Sequence, residues 1–128
     1  MFKNKLLILI IISFIIIVSI LFILFGIFKK KNPEMEIYYE ISRKKALDLD
    51  FPLKDSQILF DRGNVEWFTT LKNLKVSNPE YAKRFDILGG RNYMTVKLCP
   101  KNKYTLGGVL WVFIDSETKE VITFYGEM

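Results

Sequence analysis

Two hydrophobic rhythms divide the chain. From residue 6 to residue 28 it reads LLILIIISFIIIVSILFILFGIF, uncharged and interrupted only by Ser13, Ser19 and Gly26. No polar face recurs at helical spacing, so this is not the amphipathic helix of a soluble core. Its 23 residues at a rise of about 1.5 Å make roughly 35 Å of helix, enough to cross a hydrocarbon layer of about 30 Å. A signal peptide has a shorter apolar region, about 7–15 residues, ending at a small-residue cleavage site. Here the run passes into Lys29, Lys30 and Lys31, with no such site and no nearby cysteine to carry a lipid. The expected order is a basic tail (residues 1–5), an uncleaved transmembrane helix (6–28), a basic juxtamembrane segment (29–33) and one small α+β domain (34–128).

Within the domain the rhythm alternates between helix and strand. Asn32-Pro33-Glu34 combines a capping side chain, proline at the first helical position and a carboxylate, which predicts a helix to about Leu47 with Ile37, Tyr38 and Ile41 on one face. Phe51-Pro52 breaks any helix, and residues 48–63 fix little beyond a short strand over Gln57–Phe60 and a turn at Asp61-Arg62-Gly63. Asn64 is expected to cap a second helix, about Val65–Lys75, whose Trp67, Phe68, Leu71 and Leu74 form one apolar face read as core. Ser77-Asn78-Pro79-Glu80 repeats the cap-and-proline signal and predicts one further helical turn. Arg84–Leu88 reads as a strand leading to a Gly89-Gly90-Arg91-Asn92 hairpin turn. Tyr93–Cys99 alternates, with Met94, Val96 and Leu98 on one face and Tyr93, Thr95 and Lys97 on the other. A polar loop over residues 100–108 follows. Val109–Ile114 is wholly apolar, as in a strand covered on both faces; Asp115–Lys119 turns the chain and Glu120–Tyr125 returns. The fold class is α+β: an N-terminal transmembrane helix, then helices packed on one face of a C-terminal antiparallel meander of about four strands.

Charge changes the picture less than its total suggests. The chain carries 19 basic and 14 acidic residues, a net charge of +5. Lys3, Lys5 and Lys29–Lys31 flank the apolar run and all the acidic residues lie beyond residue 33, so the domain itself is balanced. The basic excess belongs to lipid headgroups, and nucleic-acid binding, which needs a basic face, gains no support. The lysine count favours a cytoplasmic domain under the positive-inside rule, while a short basic start before a long apolar run also begins an anchor with an external C-terminus.

Candidate chemistry is sparse. The chain has no histidine, which removes histidine-activated nucleophiles and the commonest metal ligand. Cys99 is the single cysteine, read as a structural thiol. No Walker loop or dinucleotide fingerprint occurs; Gly89-Gly90 and Gly107-Gly108 read as turns. The close carboxylate pairs Asp48/Asp50 and Asp115/Glu117 fall at a helix end and in a turn, where solvated roles outweigh acid–base work. Ser19 and Gly26 share a face of the anchor without forming a Gly-x-x-x-Gly motif. Trp67, Trp111 and Phe113 are read as core. No catalytic, cofactor-binding or metal residues are therefore assigned, no cofactor is expected, and an interaction role rather than catalysis is the default.

Phe85–Leu88, Tyr93-Met94-Thr95-Val96, Leu98 with Pro100, Gly107-Gly108-Val109, Val112–Asp115 and Val121–Gly126 together resemble the C-terminal half of bacterial immunity proteins with a nuclear-transport-factor-2-like fold. Tyr93 stands where tryptophan is common in that family, and Glu117-Thr118-Lys119-Glu120 replaces a glycine-closed final hairpin. The resemblance implies a membrane-tethered, extracytoplasmic domain that neutralises a toxin by binding it. PepSY-like domains share other features: Ile41–Leu47 resembles their opening helix, and Ile114–Val121 their Asp-x-x-Thr hairpin. That likeness implies an extracytoplasmic regulator of a peptidase or sensor protein.

Overall fold

The computed structural model describes residues 2–28, 32–102 and 108–127, in two units, Met1–Asn32 and Pro33–Met128. Lys29–Lys31 of the expected juxtamembrane segment, and residues 103–107 of the polar loop with Gly107, lie outside the described residues.

The first unit is one helix, α1 (Phe2–Phe28). Lys3 and Lys5 lie on its first turns. Phe2–Gly26 (25 residues) is long and apolar enough to cross a membrane, and none of it is buried within the protein. The Ser19 hydroxyl donates to the Ile15 carbonyl at 2.8 Å, which satisfies the hydroxyl inside its own helix.

The second unit runs α2 (Pro33–Asp48), β1 (Ser56–Phe60), α3 (Val65–Ser77), α4 (Pro79–Ala82), a 3₁₀ segment (Lys83–Leu88), β2 (Tyr93–Pro100), β3 (Val109–Asp115) and β4 (Val121–Glu127). The strands form one antiparallel sheet in the order β1-β2-β3-β4. This is the expected α+β class, with helices on both faces of the sheet rather than one. The side chains of β2 and β3 divide accordingly. Val96, Leu98, Leu110, Val112 and Ile114 pack with Tyr38 and Ala46 of α2. Trp111 and Phe113 pack with Trp67 and Leu74 of α3, Ala82 of α4, and Phe85 and Leu88 of the 3₁₀ segment.

Four local readings are corrected by this packing. Residues 83–88 form a 3₁₀ segment, not a strand, and β1 supplies the fourth strand. Phe85 and Leu88 are both buried while Asp86 and Ile87 are exposed, a spacing of three that suits a 3₁₀ turn and that strand alternation cannot produce. Gly89-Gly90 therefore links that turn to β2 instead of closing a hairpin. Second, α2 buries Tyr38, Ser42 and Ala46, one line at i, i+4 and i+8; the small Ser42 and Ala46 let the helix approach the sheet. Ile37, expected on that face, is 46% exposed.

Third, Asn64 does not cap α3 through its side chain. It sits in the left-handed region at φ 56° with no side-chain cap bond, and its Oδ1 accepts the Thr95 hydroxyl at 2.6 Å. The buried Asp61 carboxylate takes the cap instead, accepting the N–H of Trp67 at 2.8 Å and of Glu66 at 3.2 Å. Fourth, the stripe on α3 splits: Trp67 and Leu74 are buried, Leu71 is half-buried and Phe68 is 54% exposed. The expected turn at Asn78-Pro79 forms as read, with Asn78 Oδ1 accepting the Tyr81 N–H at 3.2 Å. Trp67, Trp111 and Phe113 build the core, as expected.

Candidate functional site

The residues that the sequence offered for chemistry do not converge. Cys99 lies half-buried on β2, its sulfur accepting a long bond from Gln57 Nε2 at 3.7 Å. Asp48 closes α2, and Asp50 follows in a left-handed turn at φ 55°, both exposed. Asp115 is a turn-builder: its Oδ1 accepts the backbone N–H of Glu117 at 2.8 Å and of Thr118 at 2.9 Å. Those bonds, Thr118's foremost, hold its carboxyl below the usual carboxylate range. Among the described residues no group of three or more acidic residues or cysteines is placed to hold a metal ion.

What the fold does assemble is an open cleft of about 420 Å³ on the α3 side of the sheet, within the size range of small binding pockets, about 300–1,000 Å³. One wall is the outer edge of α3, Asn64, Phe68, Leu71 and Lys75; the other is Phe85, Asp86 and Leu88 with the Gly89-Gly90-Arg91 turn, and Trp67 and Tyr93 also line it. The turn is shaped by its glycines. Gly90 has φ +74°, so a side chain there strains the backbone, and a Cβ on Gly89 would press on the Asp86 carbonyl oxygen at 3.2 Å. Trp67 is clamped by rings at 4.5 Å (Phe113), 4.9 Å (Phe85) and 5.7 Å (Trp111), which makes the floor rigid. Burial, with the nearby Asp61 charge second, pushes the Tyr93 phenol above its ordinary pKa, so it stays a neutral hydroxyl at physiological pH.

The mouth combines the Phe68 ring with the charged side chains of Lys75, Arg91 and Asp86. An aromatic anchor beside arginine, over a rigid apolar floor, is the composition that protein interfaces concentrate. In sequence Phe68 belongs to the apolar stripe of α3 and Gly90-Arg91 to an expected hairpin turn, so neither marks a surface. The available signal was the adjacency of Trp67 and Phe68. Neighbours on a helix point about 100° apart, so a narrow core contact takes only one of them.

A neighbouring surface is tied shut. Lys97 Nζ bonds Glu66 Oε2 at 2.6 Å and lies 5.1 Å from the Trp111 ring centre. The Glu66 bond, the largest cause, raises the Lys97 pKa above its ordinary value. No protein family, curated protein or solved structure matches this chain.

Proposed function

We propose that this chain is a single-pass membrane-anchored interaction domain of immunity type, which neutralises a toxin by binding it. Residues 6–28 would lie in the lipid bilayer, and the domain would stand on the extracytoplasmic side, where the resemblance to immunity proteins puts it. The observation that carries the reading is Phe68. A 54% exposed phenylalanine on the stripe that otherwise builds the core leaves apolar area in water, at about 25 cal/mol per Å², unless a partner covers it. The mechanism is steric: the partner's active region is occupied by a folded surface, with no chemistry required of the domain.

The test is capture from the native organism, with full-length protein extracted from membranes as bait and mass spectrometry as readout. Recovery of a toxin or its C-terminal fragment is expected, and Phe68→Ser is expected to weaken that capture about tenfold or more, since an interface anchor contributes about 2 kcal/mol or more. A second reading, a PepSY-like regulator of a peptidase or sensor protein, is favoured by the Asp115–Thr118 bond, which forms the Asp-x-x-Thr turn that such domains share. Recovery of a peptidase or sensor kinase in place of a toxin would transfer the proposal to that reading.

A further inference from the structure

An antiparallel sheet leaves half the hydrogen-bonding groups of its outer strands facing away from it. Here β4 pairs with β3 alone, and no other backbone bond reaches Val121–Glu127 among the described residues. Which groups face outward follows from the pairing. Asp115 N–H donates to the Glu120 carbonyl at 2.9 Å, which turns Glu120 inward. The register steps by one between Phe113 and Ile114, placing an extra residue in β4. Alternation then turns the N–H and C=O of Val121, Phe124 and Gly126 outward. The bond from Asp61 N–H to the Thr95 carbonyl on the far side of the sheet fits the same alternation.

Sheet edges are ordinarily guarded by charge, proline or brevity. The other outer strand, β1, is so guarded: it has 5 residues and is approached through Pro52, Lys54 and Asp55. By contrast β4 has 7 residues and no proline; its carboxylates, Glu127 and the preceding Glu120, stand at its two ends, and Val121 to Gly126 between them are uncharged. Cations flank it on both faces. On the α2 face Lys45 Nζ lies 4.7 Å from the Phe124 ring centre. On the other, Arg84 lies 4.9 Å from the Tyr81 ring centre, and that ring sits 6.0 Å from Tyr125. Neither cation is paired with a carboxylate among the described residues.

We propose that β4 is a docking edge, to which the protein partner adds an extended segment carrying carboxylates near its centre, so that the sheet gains a fifth strand. Backbone bonds to Val121, Phe124 and Gly126 supply the pairing, and Lys45 and Arg84 select an acidic segment. A second copy of this chain fits less well, because its own β4 is uncharged from Val121 to Gly126 and does not answer the cations. This rests on the reading of the domain as a protein-binding module, and it uses a surface separate from the Phe68 mouth of the cleft.

The test is amide hydrogen exchange on the full chain in lipid nanodiscs. The probe is a short acetylated peptide of valine and threonine with adjacent glutamates at its centre, compared with the same peptide carrying lysines there. The glutamate peptide is expected to slow exchange at Val121 and Phe124 about tenfold, and the lysine peptide to leave them unchanged. Gly126→Pro removes one outward N–H and should abolish the protection. Gly126→Ala keeps that N–H and adds a methyl that meets nothing within 4 Å, so it should retain protection and also controls for folding. Equal protection by both peptides, or none by either, overturns the proposal. Protection that rises with protein concentration and no peptide would assign the edge to a second copy and also overturn it. Phe68→Ser should leave the protection intact; loss of toxin capture in that variant alongside an unprotected edge would uphold the cleft and sink only the edge.

Discussion

Replacing Asp61 by alanine is the sharpest test of how this domain is held together, because one side chain joins β1 to the helix that carries the cleft. Its carboxylate, 9% exposed, accepts the N–H groups of Glu66 and Trp67 at 3.2 and 2.8 Å. Loss of a helix cap costs about 0.5–2 kcal/mol, and leaving a buried N–H without a partner costs about 1–3 kcal/mol. The two overlap at Trp67, so a combined loss of about 2–3 kcal/mol is expected. For a domain of this size each kcal/mol moves Tm by about 4–8 °C, so Tm should fall by roughly 10–20 °C. Thermal unfolding of the full chain in micelles, followed by tryptophan fluorescence, reads this directly, since Trp67 and Trp111 are both buried. Asn64→Gly is the control. It loses the Thr95 bond, worth about 1 kcal/mol, but relieves a residue at φ 56°, so a net change within about 1 kcal/mol is expected. A greater cost for Asn64→Gly than for Asp61→Ala, or a cost below about 0.5 kcal/mol for Asp61→Ala, would rule out Asp61 as the cap that holds α3.

Three further outcomes follow from single residues. Lys119 closes the last hairpin at φ 61° and its Nζ bonds the Tyr38 hydroxyl at 2.6 Å; glycine and alanine both lose that bond, but only glycine relieves the backbone. Lys119→Gly should therefore exceed Lys119→Ala in urea-unfolding stability by about 1 kcal/mol. Asp115 has its folded pKa lowered by turn N–H groups, so its stabilisation is complete above the ordinary carboxylate value, about 3.9, and fades as pH falls through the folded one. Asp115→Asn should flatten the acid limb of stability against pH below about pH 4. Ile16→Asp places a carboxylate near the middle of α1, where insertion is disfavoured by about 2.5–3.5 kcal/mol; the fraction of chain recovered with membranes should drop while the domain's circular dichroism signal persists.

Where side-chain spacing alone set the structure, the sequence was legible. The unbroken apolar run of β3 implied cover on both faces, and the alternation of β2 predicted which side chains share a face. Two features were not legible, each for a physical reason. Phe85-Asp86-Ile87-Leu88 is too short for period two and period three to be told apart by hydrophobicity, and tertiary packing selected the period of three. The Tyr93, Thr95 and Lys97 face of β2 is half-polar in sequence, with no sign of what covers it. Thr95 is in fact fully buried beneath the start of α3, and it is tolerated there because Asn64 accepts its hydroxyl. A polar residue satisfied across 31 positions of sequence has the local signature of an exposed one, so the cover on both faces that β3 implies does not show in β2.

The candidate site was hidden for a related reason. A search for function by residue type settles on carboxylates, the thiol and glycine pairs, and here several of those groups serve the fold. Asp61 holds the start of α3, Asp115 holds the hairpin, Cys99 accepts from Gln57, and Gly89-Gly90 shape the wall of the cleft. Facing outward are Phe68, the cations Lys45 and Arg84, which have no carboxylate partner among the described residues, and the backbone edge of β4. None of these is distinctive in sequence: Phe68 differs from Trp67 only by one step around a helix, and β4 reads like any interior strand until the strand pairing places it at an edge of the sheet. Apolar area, unanswered positive charge and open hydrogen-bonding backbone are together the means by which one protein recognises another. That is the physical reason for looking first for a protein partner, and for an acidic extended segment within it.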